Sequence, residues 1–84
     1  MFKIKAPNGS NNLCGKNIAS IRKSMNMSQR ALARKLQVYG YDVDHHFIRR
    51  IENGERFVTD IELVILSNVL NTDLESIIKG NWFV

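Results

Sequence analysis

Cysteine, aromatic residues and long apolar runs are all scarce in this chain of 84 residues. Its one cysteine, Cys14, excludes an internal disulfide framework and fits a reducing compartment. No apolar run approaches the roughly 18 residues that a membrane helix needs, and the N-terminus lacks a signal-peptide core. A soluble, cytoplasmic protein without a membrane partner is therefore expected. One tryptophan, two tyrosines and four phenylalanines are few, and the β-branched residues do not alternate with polar ones. Both features argue against a sheet. A chain of this length forms one small domain and buries only about two thirds of its surface. A compact all-helical solution or a partner is expected.

Acidic residues are missing from the first part of the chain. Residues 1–21 carry Lys3, Lys5 and Lys16 unopposed, for +3. Residues 22–56 set eight Arg or Lys against Asp42, Asp44, Glu52 and Glu55, for +4, and residues 57–84 set Lys79 against four acids, for −3. The positive side thus occupies the first two thirds. Such a layout suits a polyanion on one face, although an ordinary solvated surface would share it.

Apolar periodicity and capping residues divide the chain into five short helices. "APNGSNN", Ala6 to Asn12, is turn-prone, so residues 1–14 read as a loose basic arm. A first helix starts at Gly15, with Ile18, Ile21 and Met25 on one stripe, and stops near Asn26. Ser28 is an N-cap for a second helix with Leu32, Ala33 and Leu36 on one face, which Gly40 closes. Asp44 caps the third helix, and Asn53-Gly54 ends it. Thr59 with Glu62, and Thr72 with Glu75, have the T-x-x-E capping-box spacing and open the fourth and fifth. The fourth carries Leu63, Leu66, Val69 and Leu70, and the fifth Leu74, Ile77 and Ile78 up to Gly80. An apolar tail, Trp82-Phe83-Val84, forms residues 81–84. Five helices around one core is the expected all-α architecture.

The third helix holds the concentrated chemistry. With His45 set at zero and about 100° per residue, Ile48 and Ile51 fall at about 300° and 240° and define the buried side. Arg49, His46 and Arg50 fall at about 40°, 100° and 140°, opposite the isoleucines. Neighbouring histidines diverge by about 100°, whereas helical metal pairs favour i, i+4 spacing, and two adjacent arginines repel a dication. No metal or other cofactor is expected. There is no Ser/His/Asp set, Gly-rich phosphate loop or carboxylate pair, so catalysis is not expected either. A plain solvated helix face is the bland alternative. Against it stands the second helix, whose Arg30 and Arg34 also lie opposite its apolar face. Two successive amphipathic helices with basic outer sides suit phosphate contact by the first and groove insertion by the second.

"IRKSMNMSQRALARKL", then "HHFIRRIENGER", then "LSNVLNTDLESII" together resemble the phage-repressor/Cro-type (XRE-like) helix-turn-helix family, over roughly residues 15–79. The specific parts are S-Q-x-x-L-A-x-K-L on helix two and I-x-R-I-E-N-G on helix three. The resemblance implies a five-helix, lambda-repressor-like DNA-binding domain spanning 15–80, whose third helix lies in the major groove. It implies that His45, His46 and Arg50 reach base edges and that Phe47 meets a thymine methyl. It further implies phosphate contacts by Gln29, which also braces the third helix, by Arg49, and by Asn53, Gly54 and Arg56 after the helix, beside those that the basic outer face of helix two offers through Arg30 and Arg34. Arginine can bridge guanine O6 and N7, and histidine can donate to the same edge. Arg22 and Glu52 match family positions that often pair across helices one and three. The chain departs from the pattern in its turn, which is about five residues longer than the three or four usual. "QVYGYDV" reads as an extra turn of helix two and a Gly40-centred loop, with Tyr39, Tyr41 and Val43 forming a lid over the core; the alternative takes Tyr41 to a phosphate.

Sequence-specific binding of double-stranded DNA by a small regulator, a repressor without an enzymatic activity or small-molecule ligand, is the expected function. The rival is a protein-interaction role such as an antitoxin. For the tail, folding back, disorder or a homodimer contact shared with helix five are the readings.

Overall fold

The computed structural model describes residues 4–80, and among these it has five helices and no strand. They are α1 (Gly15–Ser24), α2 (Gln29–Val38), α3 (His45–Glu52), α4 (Asp60–Val69) and α5 (Leu74–Ile78). The tail, Trp82 to Val84, lies outside the described residues.

Side-chain caps fix most helix starts. Ser28 Oγ accepts the Ala31 N–H at 3.0 Å, a contact of a kind worth about 1 kcal/mol. The Asp44 carboxylate accepts the N–H groups of His46 and Phe47, at 3.0 and 3.2 Å. Thr59 and Glu62 form the reciprocal capping box, with each side chain accepting the other's backbone N–H. The second box, expected at Thr72 and Glu75, does not form. Asp73 lies one residue later and offers a charged acceptor, which takes the Ser76 N–H at 2.8 Å. α5 accordingly starts at Leu74, and the Thr72 N–H turns back to the Ser67 carbonyl.

Ile18, Leu32, Leu36, Ile48, Ile51, Leu66 and Ile77 form the centre of one core. Two sequence readings need correction here. Met25 is exposed, because the buried face of α1 runs through Gly15, Ile18 and Arg22. Cys14, which has no role in the sequence reading, is a core residue at the N-cap of α1. Burial pushes its thiol up to about 11. Since the thiolate is the nucleophile, Cys14 is expected to resist a thiol reagent at pH 8 in the native protein and to react at the unfolding rate. Fast stoichiometric labelling without denaturant would contradict this burial.

α2 ends in a Schellman motif. The Tyr41 N–H reaches the Leu36 carbonyl and the Gly40 N–H the Gln37 carbonyl, with Gly40 at φ +93°. This left-handed residue ends α2 and turns the chain toward α3. Gln37 Nε2 closes the loop on the Val43 carbonyl at 2.7 Å. Val43 packs on the core, but Tyr39 and Tyr41 are 64% and 40% exposed. The three-residue lid is therefore reduced to Val43. The tyrosines flank a surface hollow over Ile65 and Val69 instead.

Candidate nucleic-acid interface

α3 packs against both α1 and α2, with Ile48 and Ile51 wholly buried. Its last residue is tied at two points. Arg22 Nε meets Glu52 Oε2 at 2.7 Å, and Arg22 Nη2 meets Oε1 at 2.9 Å. The hydrogen-bonded carboxylate, together with its charge, holds the guanidinium above its ordinary pKa despite burial. Gln29 Nε2 donates to Glu52 Oε1 at 3.0 Å. Three helices thus meet at one carboxylate. The sequence reading gave Gln29 two tasks, and this contact is the brace.

The outer arc of α3 is open. His46, Arg49 and Arg50 are exposed and His45 half-exposed, while Arg30 and Arg34 are exposed on α2. None of these four arginines has an ion-pair partner among the described residues; the pairs found there are Arg22 with Glu52 and Arg56 with Glu62. The His45 and His46 rings lie 4.1 Å apart, tilted at 35°. His45 is held below its ordinary pKa by desolvation and then by the positive charge of Arg30 on the adjoining α2. At the helix start, the Phe47 and His46 N–H groups and the nearby histidines hold the Asp44 carboxyl below its ordinary range. The arc presents cations and donors at about one helix width. A helix with its side chains is about 10–12 Å across, which a major groove about 12 Å wide admits.

Three residues assigned to DNA also make contacts within the protein. Phe47 is half-buried on the rim between core and arc. Arg56 turns toward α4, where Nη2 meets Glu62 Oε2 at 2.8 Å and Nη1 meets Oε1 at 3.2 Å. Its Cζ stands 4.7 Å from the centre of the Phe47 ring. Gly54 faces inward against Ser10, and its carbonyl accepts the Asn11 N–H at 2.8 Å. Asn53 remains exposed.

Asparagines supply a support that the sequence reading missed. Asn12 Nδ2 donates to the carbonyls of Ile51 and Arg56, at 3.0 and 2.8 Å, while its Oδ1 accepts the Gly15 N–H at 2.8 Å. Asn11 Nδ2 donates to the Glu55 carbonyl at 2.8 Å. The segment read as a loose arm is thus tied down at its inner end, against the loop that follows α3. "NN" before a helix carries no signal for partners about 40 residues away.

Two adjoining helices, the second with a buried anchor face and a basic outer face, define a helix-turn-helix. The family model described as "Helix-turn-helix" matches residues 18–77. The chain belongs to this family of DNA-binding regulators, in its XRE-like branch. Among solved structures it is similar to the restriction-modification controller protein C.AhdI from Aeromonas hydrophila, with a TM-score of 0.65 and 21% identity, over 75% of this chain and 84% of that one. That likeness is one of fold. No curated protein matches the chain. Among the described residues, no helix is long and apolar enough to cross a membrane.

Proposed function

We propose that this protein binds a specific double-stranded DNA sequence through α3 and acts as a small cytoplasmic repressor that occupies its site. One observation carries the reading. Of the six arginines, Arg22 and Arg56 are paired with glutamates, whereas Arg30, Arg34, Arg49 and Arg50 stand exposed on the two adjoining helices, with no ion-pair partner among the described residues. Exposed cations grouped in this way favour a polyanion. His45, His46 and Arg50 face base edges in this reading, while Arg30, Arg34, Arg49, Asn53 and the start of α2 at Gln29 line the phosphates. Two copies bind paired half-sites about one helical turn apart. The exposed Leu74 and Ile78 on α5 support a homodimer contact remote from the basic arc.

Selection from random duplexes, followed by salt titration, tests the assignment. Arg50→Ala is expected to cost about 1–3 kcal/mol on the selected site and to relax the preference at one base pair. Arg30→Ala should weaken all duplexes alike and flatten the slope of log K against log salt by roughly one unit. Uniform weakening by both substitutions would refute this division of labour. If no motif is enriched, the interaction role of an antitoxin becomes the better reading. Sedimentation velocity on a palindromic duplex checks the dimer, and one protomer per duplex would exclude it.

A further inference from the structure

The contacts of Arg56 separate it from the other cations of the interface. Its guanidinium lies between the Glu62 carboxylate and the face of the Phe47 ring, and Nη1 also donates to its neighbour's carbonyl, at Phe57, at 2.6 Å. The side chains of the pair are only 33% and 21% exposed. An arginine held along one edge by a carboxylate, at Nη1 by a carbonyl and on one face by a ring has less left to offer a phosphate. Glu62 is itself held, because its Oε1 accepts the Thr59 N–H at 2.9 Å as part of the α4 cap. A chain of fixed contacts therefore runs from the start of α4, through Glu62 and Arg56, to Phe47. The ring at the end of this chain packs on the core and borders an open cleft of about 530 Å³ that His46 and Arg50 also line.

We infer that Arg56 and Glu62 are positioning residues for Phe47, which fix its ring for the thymine-methyl contact that the family resemblance implies at that position. This rests on the DNA-binding reading above. Phe47 has no polar atom for a base, so apolar contact with a methyl is the readout its chemistry permits. A ring touching one methyl discriminates only if it cannot swing away. Stacking by a guanidinium adds attraction on one face and leaves the opposite side to the core. Glu62, on a helix outside the helix-turn-helix itself, thereby becomes a determinant of base preference.

Deoxyuridine lacks only the methyl, so it isolates this contact. Each thymine of the selected site is replaced singly by deoxyuridine, and the affinity of the full chain is measured. One position should cost the wild type roughly fourfold, the effect of one methyl removed from an apolar contact. Phe47→Ala should abolish that penalty. Glu62→Gln retains an acceptor for the α4 cap but loses the charge, and should reduce the penalty to less than about twofold. Arg56→Gln leaves the cap untouched and should do the same, which secures the test if Glu62→Gln fails to fold. Neither change should flatten the salt slope. A penalty unchanged in both variants overturns the proposal, as does a slope lowered by roughly one unit in Arg56→Gln, the mark of a phosphate contact. A wild type indifferent to every methyl on a selected site also overturns it. A wild type that selects no duplex defeats the DNA-binding reading and this inference with it.

Discussion

Arg22→Ala and Glu52→Ala should each destabilise the protein by about 3–5 kcal/mol, because each strands a buried charge. The two side chains are 8% and 6% exposed. In Glu52→Ala, the guanidinium retains the Met27 carbonyl, at 2.7 Å, and loses both oxygens of its counter-ion. In Arg22→Ala, the carboxylate retains only the Gln29 amide, a single neutral donor. A small domain is commonly stable by about 5–15 kcal/mol, so either change removes a large share of that stability. Replacing both residues with alanine is expected to cost much less than the sum, since the penalty lies in the unpaired charge and not in the missing pair. Urea unfolding of the two single variants and the double variant measures this as a coupling energy. Additive losses would show that the pair contributes nothing through its partnership. DNA binding provides a second readout, because α3 ends at Glu52 and the carboxylate joins it to α1 and α2.

The sequence made α3 legible because an eight-residue helix with two isoleucines three positions apart has one buried face. The rest of its circumference then follows from rotation alone. Asp44, Ser28 and the Thr59–Glu62 box marked helix starts because each uses a local contact of two or three residues. Arg22 and Glu52 became visible as a pair through the family pattern, with Glu52 beside the buried face. Rotation could not place Arg56, since the helix stops at Glu52 and the chain then turns. Nor could it separate Thr72 from Asp73, where two acceptors compete one residue apart and the charged one prevails. The α2–α3 loop failed for a related reason. The tyrosines suggested burial, but α2 ends around the left-handed Gly40 and both rings stay exposed, at 64% and 40%. Asn12 was hidden altogether, because its partners Ile51 and Arg56 are backbone carbonyls, and any sequence supplies those.

Gly15→Ala should cost about 3 kcal/mol, the upper part of the range for forcing a methyl into a packed site. A Cβ at Gly15 would overlap the Ile51 carbonyl oxygen and would lie 3.2 Å from the Glu52 Cα and 3.0 Å from Asn12 Oδ1. The first two are backbone atoms of α3, so no side-chain rotation relieves the clash. α1 must instead move away from α3. That movement strains the Asn12 contacts to Gly15 and Ile51, and it draws Arg22 from Glu52 on the same helix. Gly40→Ala provides the comparison, because a Cβ there meets nothing within 4 Å and only the left-handed backbone at φ +93° opposes it. About 1–2 kcal/mol is expected for that strain. Chemical denaturation should therefore rank Gly15→Ala as the more harmful change, although its backbone needs no special conformation. If the two cost the same, close approach of α1 and α3 would not be what requires glycine at position 15. The functional consequence separates them further. Gly15→Ala displaces the helix against which α3 ends and loosens the loop that Asn12 ties to Arg56. It should therefore weaken selected and random duplexes unequally, reducing discrimination between them, whereas Gly40→Ala alters a loop whose remaining tie to the core is Val43. Measuring both affinities on the folded fraction of each variant distinguishes a misplaced recognition helix from simple loss of protein.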